Sequence, residues 1–465
     1  MGAVLDRIPL LGPGALPGAI GVVVALLLVL WLVSTRRLRP RTHLAFLAAA
    51  ALTGLALWFG VDVVWHPFAD GVGTTVWVWV SVVVLVALEA IAAALLGSAR
   101  RRRASSRSGA SRAASRASSS SRPSRRGRPV LRSIGALAAI AVAAGAAGIG
   151  INTHFAAYYT LGSALGLGLK AEKYTSADAA TSGADPTGPL EKSWTAPSSM
   201  PVTGRLYTAD VPASDPRFHP RTAWIYLPPA ATVQGAPKLP LLVLMAGQPG
   251  EPKQWFTAGR LRQSMDAWAA AHDGLAPIVL VVDPLGSAVQ NPLCSNADLG
   301  NVADYLEKDV PAWAAANLPV SADHSHWAIG GLSNGGTCTL QVVARTGAHP
   351  VFHSFLAMSA ELHPTLGSEA RTVAKGFGGS LDAYEANDPL SLFAKTHYSG
   401  VAGILSVGAQ DTGYKPGVEK LTAAAKAAGL EVEMRTYPGT HSWSVWSVAL
   451  PDALDWLGKR VGITG

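Results

Sequence analysis

The stretch "IGGLSNGGTCTL", Ile329 to Leu340, decides how the C-terminal half of this chain is read. An apolar run, "HWAIGGL", leads into it, and a helical pattern, "NGGTCTLQVVARTG", leads out. Between them Gly331-Leu332-Ser333-Asn334-Gly335 has the spacing G-x-S-x-G. Alone the pentapeptide is a weak signal in a chain with 48 glycines. Between a strand and a helix it gains meaning. The glycines permit a sharp strand-to-helix turn, and such a turn lifts a serine hydroxyl above the edge of a sheet.

Working outward, strand and helix signals alternate. "GRLYTADVPA" and "RTAWIYLPP" read as an antiparallel entry pair. "LPLLVLMAG" and "APIVLVVDP" are short continuous apolar runs, the pattern of parallel strands buried on both faces. "HSFLAMSA", "AGILSVGAQD" and "EVEMRTYP" follow as strands, with helices between them. The expected architecture is α/β, a mostly parallel doubly wound sheet, with its site at the carboxyl ends of the strands.

A serine hydroxyl needs a base, and the base needs an orienting carboxylate. In the α/β-hydrolase arrangement the chain order is Ser, acid, His. Asp411 follows the strand in "SVGAQDTGY", and His441 lies in "YPGTHSWSVW" after the last strand. Both fall on the same sheet edge as Ser333, so Ser333, Asp411 and His441 are the expected triad. Glu361, in "AMSAELHP", also follows a strand and is the rival acid. The tetrahedral intermediate needs two amide donors. The backbone N–H groups of Asn334 and of Gln248, in "AGQPGEPKQW", are the expected pair. Trp443 and Trp446 either line a substrate site or pack the core face of the last helix. No H-E-x-x-H occurs, and neither a catalytic metal nor a cofactor is expected.

"LLVLMAGQPGEPKQW", "GGLSNGG" and "GTHSWSVW" together resemble the esterase branch of the α/β-hydrolases, which includes esterase D, enterochelin esterases and secreted mycolyltransferases. The resemblance covers roughly 201–465. It implies Ser333 as nucleophile, His441 as base, and oxyanion donors near Gln248 and Asn334. The His-Ser-Trp-x-x-Trp string is close to the mycolyltransferase form and is the most specific of the three. Two departures stand out: Ala246 occupies a position where the family often has His or Asp, and Asp411 stands where mycolyltransferases use Glu.

The N-terminal third is different. The whole chain is 49% hydrophobic, with mean hydropathy +0.26, which points to membrane segments beside a globular part. Residues 1–97 contain three apolar runs of spanning length, at 18–33, 44–61 and 75–97, and a fourth lies within 134–152. Between them, 98–133 reads as a disordered Arg/Ser-rich loop, "SARRRRASSRSGASRAASRASSSSRPSRRGR". It is either a plain topogenic loop or a contact for anionic lipids. Residues 153–200 read as an interfacial segment and flexible linker.

The net charge of +8 sits in that loop; from Met200 onward 18 Lys and Arg face 22 Asp and Glu. The folded domain therefore lacks the basic face that nucleic-acid binding requires. The first and third loops are basic and the second acidic, so the positive-inside rule puts the N-terminus and the 201–465 domain outside the plasma membrane. Glu89, inside the third run, is either a functional intramembrane acid or a hydrogen-bonded structural one.

Cys294 and Cys338, in a domain expected in an oxidising compartment, are a possible disulfide or two buried thiols. The leading expectation is a membrane-anchored serine esterase or acyltransferase acting on a lipid or glycolipid ester. The alternatives are mycolyltransferase-like transfer to a sugar and a non-catalytic envelope scaffold on a degenerate hydrolase fold.

Overall fold

A computed structural model describes residues 2–5, 7–34, 38–66, 68, 71–109, 128–167, 169–175, 178, 183, 185, 187–347 and 349–465. Contacts divide the chain into two units, one helical (residues 9–66 and 70–154) and one comprising chiefly 155–465.

The helical unit holds four helices long and apolar enough to cross a membrane: α1 (Ala15–Ser34), α2 (Pro40–Trp58, continued by a π-helical turn to Trp65), α3 (Thr74–Gly109) and α4 (Arg128–Phe155). Pro40 suits the first turn of α2, where its missing N–H costs nothing. Small residues set the packing. Ala139, Ala143, Ala146 and Ala147 of α4 meet Val86 and Ala90 of α3 and Val23 of α1. Gly54 of α2 lies where a Cβ would strike Ser81 of α3, so these two helices approach closely. At one end Asp62 accepts hydrogen bonds from Trp77 Nε1 (2.7 Å) and Val72 N (2.9 Å). Outward faces stay apolar, with Leu28, Leu52 and Leu137 exposed, as a hydrocarbon solvent favours.

The basic segment differs from its expected form at both ends. Helix α3 runs on to Gly109 and α4 begins at Arg128, so 98–109 and 128–133 are helical. Ala and Arg are good helix formers, and a helix already nucleated in an apolar span propagates cheaply into them. The remainder of that expected loop, 110–127, lies outside the described residues.

The second unit is built on one nine-stranded sheet. Its strands are β1 (Glu172–Lys173), β2 (Arg205–Ala209), β3 (Ala223–Leu227), β4 (Leu241–Met245), β5 (Ile278–Val282), β6 (Trp327–Leu332), β7 (Ser354–Met358), β8 (Ala402–Gly408) and β9 (Glu431–Tyr437). The spatial order is β1-β2-β3-β5-β4-β6-β7-β8-β9. Among the described residues of this sheet, the β2–β3 and β3–β5 pairings are antiparallel and the others parallel. Strands β4 to β8 are buried throughout, which explains their unbroken apolar runs. Helices α5 (Leu261–Ala271), α6 (Asn334–Thr346), α7 (Lys415–Ala427) and α8 (Trp443–Arg460) are among those that cover the faces.

The segment read as a flexible linker is in large part docked. Residues 172–173 add a parallel edge strand to β2. Tyr174 is buried, packs edge-on against Tyr207 at 5.6 Å and donates its hydroxyl to Asn317 O (2.7 Å). Burial pushes its phenol up to about 12. Leu190, 1% exposed, anchors a short helix, and its amide donates to Gly462 O (3.0 Å). Sparse anchors separated by polar residues leave no periodic signal, which is why composition alone suggested a linker.

A protein begun at residue 201 is therefore expected to be less stable than one begun at 155. Losing the Leu190 and Tyr174 anchors should cost about 2–5 kcal/mol, read as a lower urea midpoint. Equal midpoints would show that the docking contributes nothing.

Candidate active site

The nucleophile turn is shaped by its glycines. Ser333 has φ 53° and ψ −123°, a conformation costly for a residue with a side chain. Its amide is held by Met358 O of β7 (2.8 Å), and Thr337 N donates back to Ser333 O (3.0 Å). A Cβ on Gly331 would collide with the carbonyl of Gly335, and one on Gly335 would lie 2.6 Å from Ala246 O. Only glycine lets α6 start this close to β4 and β6. Ser333 is consequently fixed at the carboxyl edge of the sheet, 6% exposed.

The acid and the histidine come from the next two strand ends. The turn after β8 and the loop after β9 are sewn together. Ala409 N donates to Tyr437 O (2.7 Å), Gln410 N to Gly439 O (2.9 Å), and Gly439 N to Gln410 Oε1 (2.6 Å). This lacing brings Asp411 to His441. His441 Nδ1 lies 3.0 Å from Asp411 Oδ2, and His441 Nε2 lies 3.0 Å from Ser333 Oγ. Asp411 is buried, and its other oxygen accepts from Tyr414 N (3.3 Å). Glu361, the rival acid, is buried just beyond β7, where its amide donates a hydrogen bond to Thr337 Oγ1 (2.9 Å); the carboxylate on His441 is that of Asp411.

Two aromatic rings fix the imidazole plane. Tyr414 stacks on His441 with centroids 3.8 Å apart and planes at 24°. Trp446 meets it edge-on at 4.9 Å and 86°. Trp446 Nε1 in turn donates to Ser359 Oγ (3.1 Å). Trp443 continues an edge-to-face chain between Trp446 and Trp255, each pair 5.5 Å apart. Trp443 and Trp446 are 5% and 6% exposed and both lie on the inward stripe of α8, so core packing accounts for most of their surface. Sequence reasoning missed Tyr414, three residues beyond Asp411, although an aromatic so close to the acid at a strand end was the available signal.

The 246–250 loop sits directly beside the nucleophile. A Cβ on Gly247 would lie 2.8 Å from Ser333 Cβ, so glycine is required for this backbone to pass. The loop is held from below by Trp255 Nε1 to Met245 O (3.1 Å) and from the side by Arg221, which donates to Gly250 O (2.7 Å). Arg221 is itself gripped by buried Asp283 through Nε and a terminal nitrogen (2.8 and 2.7 Å). Asn334 opens α6, whose first amides have no carbonyl one turn earlier in the helix to bond.

A residue that the sequence did not flag joins these two loops. Asn291 is buried; its Nδ2 donates to Gln248 Oε1 (3.3 Å) and Thr365 O (3.2 Å). Its Oδ1 accepts from Leu293 N (3.0 Å) and Asn334 Nδ2 (3.4 Å). Gln248 also donates to Gln290 O (3.0 Å). The segment carrying Asn291 is pinned to α6 by the Cys294–Cys338 disulfide and by Gln341 Nε2, which donates to Leu293 O (2.9 Å). The two cysteines are thus bonded, the first of their two readings.

A serine on a strained turn, an acid and a histidine in one hydrogen-bonded line at the carboxyl edge of a mostly parallel sheet define a serine hydrolase of the α/β-hydrolase fold. Residues 218–457 match the Esterase family, described as "Putative esterase". The chain belongs to that family. An uncharacterized protein of Corynebacterium glutamicum is 40% identical over 253 residues, covering 53% of this chain and 59% of that protein. The chain thus aligns with less than two thirds of that relative's length. Among solved structures, a ferulic acid esterase aligns with TM-score 0.47 and 19% identity, covering 56% of this chain and 98% of that one. An S-formylglutathione hydrolase from Agrobacterium tumefaciens aligns with TM-score 0.46 and 18% identity, covering 56% and 97%.

Two outcomes follow for the Asn291 segment. Asn291→Ala should lower kcat toward a model ester about tenfold or more while leaving KM within a few-fold, because it loosens the 246–250 loop and the start of α6 without touching the triad; unchanged kcat would remove Asn291 from the machinery. Breaking the disulfide by Cys294→Ala with Cys338→Ala opens a loop of 44 residues. The chain-entropy model gives about 4 kcal/mol of lost stability, measurable by urea unfolding.

Proposed function

We propose that this chain is a membrane-tethered serine esterase or acyltransferase, acting on a lipid or glycolipid ester at the outer face of the plasma membrane. The single observation that carries the chemistry is the continuous line Asp411–His441–Ser333, with both links at 3.0 Å. Ser333 Oγ attacks the ester carbonyl carbon while His441 Nε2 takes its proton. Asp411 holds the imidazole by Nδ1–H and stabilises the imidazolium. The amides of Gln248 and Asn334 receive the oxyanion of the tetrahedral intermediate. The C–O bond to the leaving alcohol then breaks, and His441 protonates that alcohol. An acyl-Ser333 remains. Water, or the hydroxyl of a second alcohol, gives its proton to His441 and attacks the acyl carbon. The acid or new ester departs, and the proton returns to Ser333.

The membrane part of the reading rests on four helices of spanning length in the same chain. Outer-face placement rests on the basic first and third loops and the acidic second one. Tethering keeps the site near substrates that partition into the bilayer, which favours a lipid or glycolipid ester over a freely soluble one.

The test is covalent labelling of the full chain with a fluorophosphonate, read by intact mass. One adduct on the wild type and none on Ser333→Ala is expected. Ser333→Ala and His441→Ala should each lower ester hydrolysis by at least about 10⁴-fold, and Asp411→Asn by about 10³–10⁴-fold. A folded wild type that takes no adduct would remove the catalytic reading and leave the scaffold one.

A further inference from the structure

The helical unit contains a second polar site that the ester chemistry does not use. Helices α1 and α2 both pack on α3 but stand apart from each other, leaving a groove of about 560 Å³ floored by α3. Leu27 and Leu28 of α1 form one wall, Leu44 and Leu47 of α2 the other, and Leu85 lies on the floor. One turn further along α3 the floor carries Glu89, 5% exposed, and the α2 wall carries His43. His43 Nδ1 and Glu89 Oε1 are 2.6 Å apart. Glu89 Oε2 and His43 Nε2 are both buried and have no hydrogen-bond partner among the described residues.

Two unsatisfied polar atoms in a hydrocarbon-facing groove are costly, because neither protein nor lipid tails repay their desolvation. In so apolar a setting a pair with no net charge costs least. A neutral partner therefore fits better than a charged one. Whether the proton between His43 and Glu89 sits on Nδ1 or on Oε1, the free Nε2–H of His43 donates and the free Oε2 of Glu89 accepts. A hydroxyl both accepts and donates, so it can satisfy both atoms, whereas an ammonium only donates. The walls, apolar over several turns, suit one acyl chain. We infer that this groove binds a neutral lipid with a hydroxyl-bearing head, of the acylglycerol class, its chain along Leu27, Leu44 and Leu85 and its hydroxyls on Glu89 and His43.

The test uses the full chain carrying Ser333→Ala, so that the outer unit cannot turn the probe over, reconstituted in phosphatidylcholine nanodiscs. A monoacylglycerol with a diazirine in its chain is photolysed and the cross-links mapped. Labelling should fall on α1, α2 and α3 peptides and be competed by unlabelled monoacylglycerol. Glu89→Leu should cut it at least fivefold. Leu28→Trp, which fills the groove and leaves the polar pair intact, should do the same, so misfolding of the first variant cannot decide the result. Unchanged labelling in both variants would overturn the inference. So would equally strong labelling of these peptides by a headless alkyl diazirine or by an ethanolamine-headed probe.

Discussion

The close approach of α6 to the sheet is the constraint on which the site depends. The collision between residues 331 and 335 is avoided only by glycine at both positions, and Gly335 also clears the carbonyl of Ala246. That clearance lets the chain turn within one residue, and the whole cost of the turn falls on Ser333 at φ 53°. Once Ser333 is fixed, the rest is a problem of reach. The 246–250 loop arrives through Gly247, pressed against Ser333, and the histidine arrives through a loop laced to the turn that carries the acid. Each catalytic part thus stands on a strand end of one rigid sheet, the kind of support that holds reacting groups to a fraction of an ångström.

Around the triad, much of the precision is bought by groups that never touch a substrate. Tyr414 and Trp446 restrict the imidazole to one plane, leaving its two nitrogens pointing along one line. Asn291 bonds the side chains of both Gln248 and Asn334, so it ties the 246–250 loop to the start of α6. The disulfide and Gln341 then tie the Asn291 segment to the helix that starts at the nucleophile. The result is a closed circuit from Ser333 through α6, Cys338, Cys294 and Asn291 back to Asn334.

What could be read from the sequence follows a physical pattern. Elements whose signal is continuous and local were legible: the unbroken apolar strands, the spanning helices, and the Gly-x-Ser-x-Gly turn with Asp411 and His441 at later strand ends. Features made by isolated long-range contacts were not. Tyr174 and Leu190 dock their segment through single side chains spaced along polar sequence, so composition read it as a linker. Asn291 acquires its role only when Gln248 and Asn334, remote in sequence, converge on it. The tryptophans of "HSWSVW" carried two readings, because helical spacing alone does not say which stripe of α8 faces inward. The continuation of α3 beyond its apolar run was hidden for a related reason: charge and serine content report solvation, whereas the backbone there follows the helix it extends.

The two units solve opposite solvent problems with similar means. In the 155–465 unit two buried acids are closed into circuits: Asp283 is satisfied by Arg221 and loop amides, and Asp411 by His441 and Tyr414. In the helical unit Asp62 is likewise closed, accepting from Trp77 and Val72. Glu89 and His43 differ from these three acids, since each has one atom bonded and one buried without a partner among the described residues, on residues that line the same groove. A helix bundle with no use for these atoms would gain stability by replacing both residues with leucine, because a half-satisfied polar pair is worse than an apolar one. Their presence at the floor and wall of one groove, one turn from its apolar lining, is what makes that groove the place to look for a lipid with a polar head.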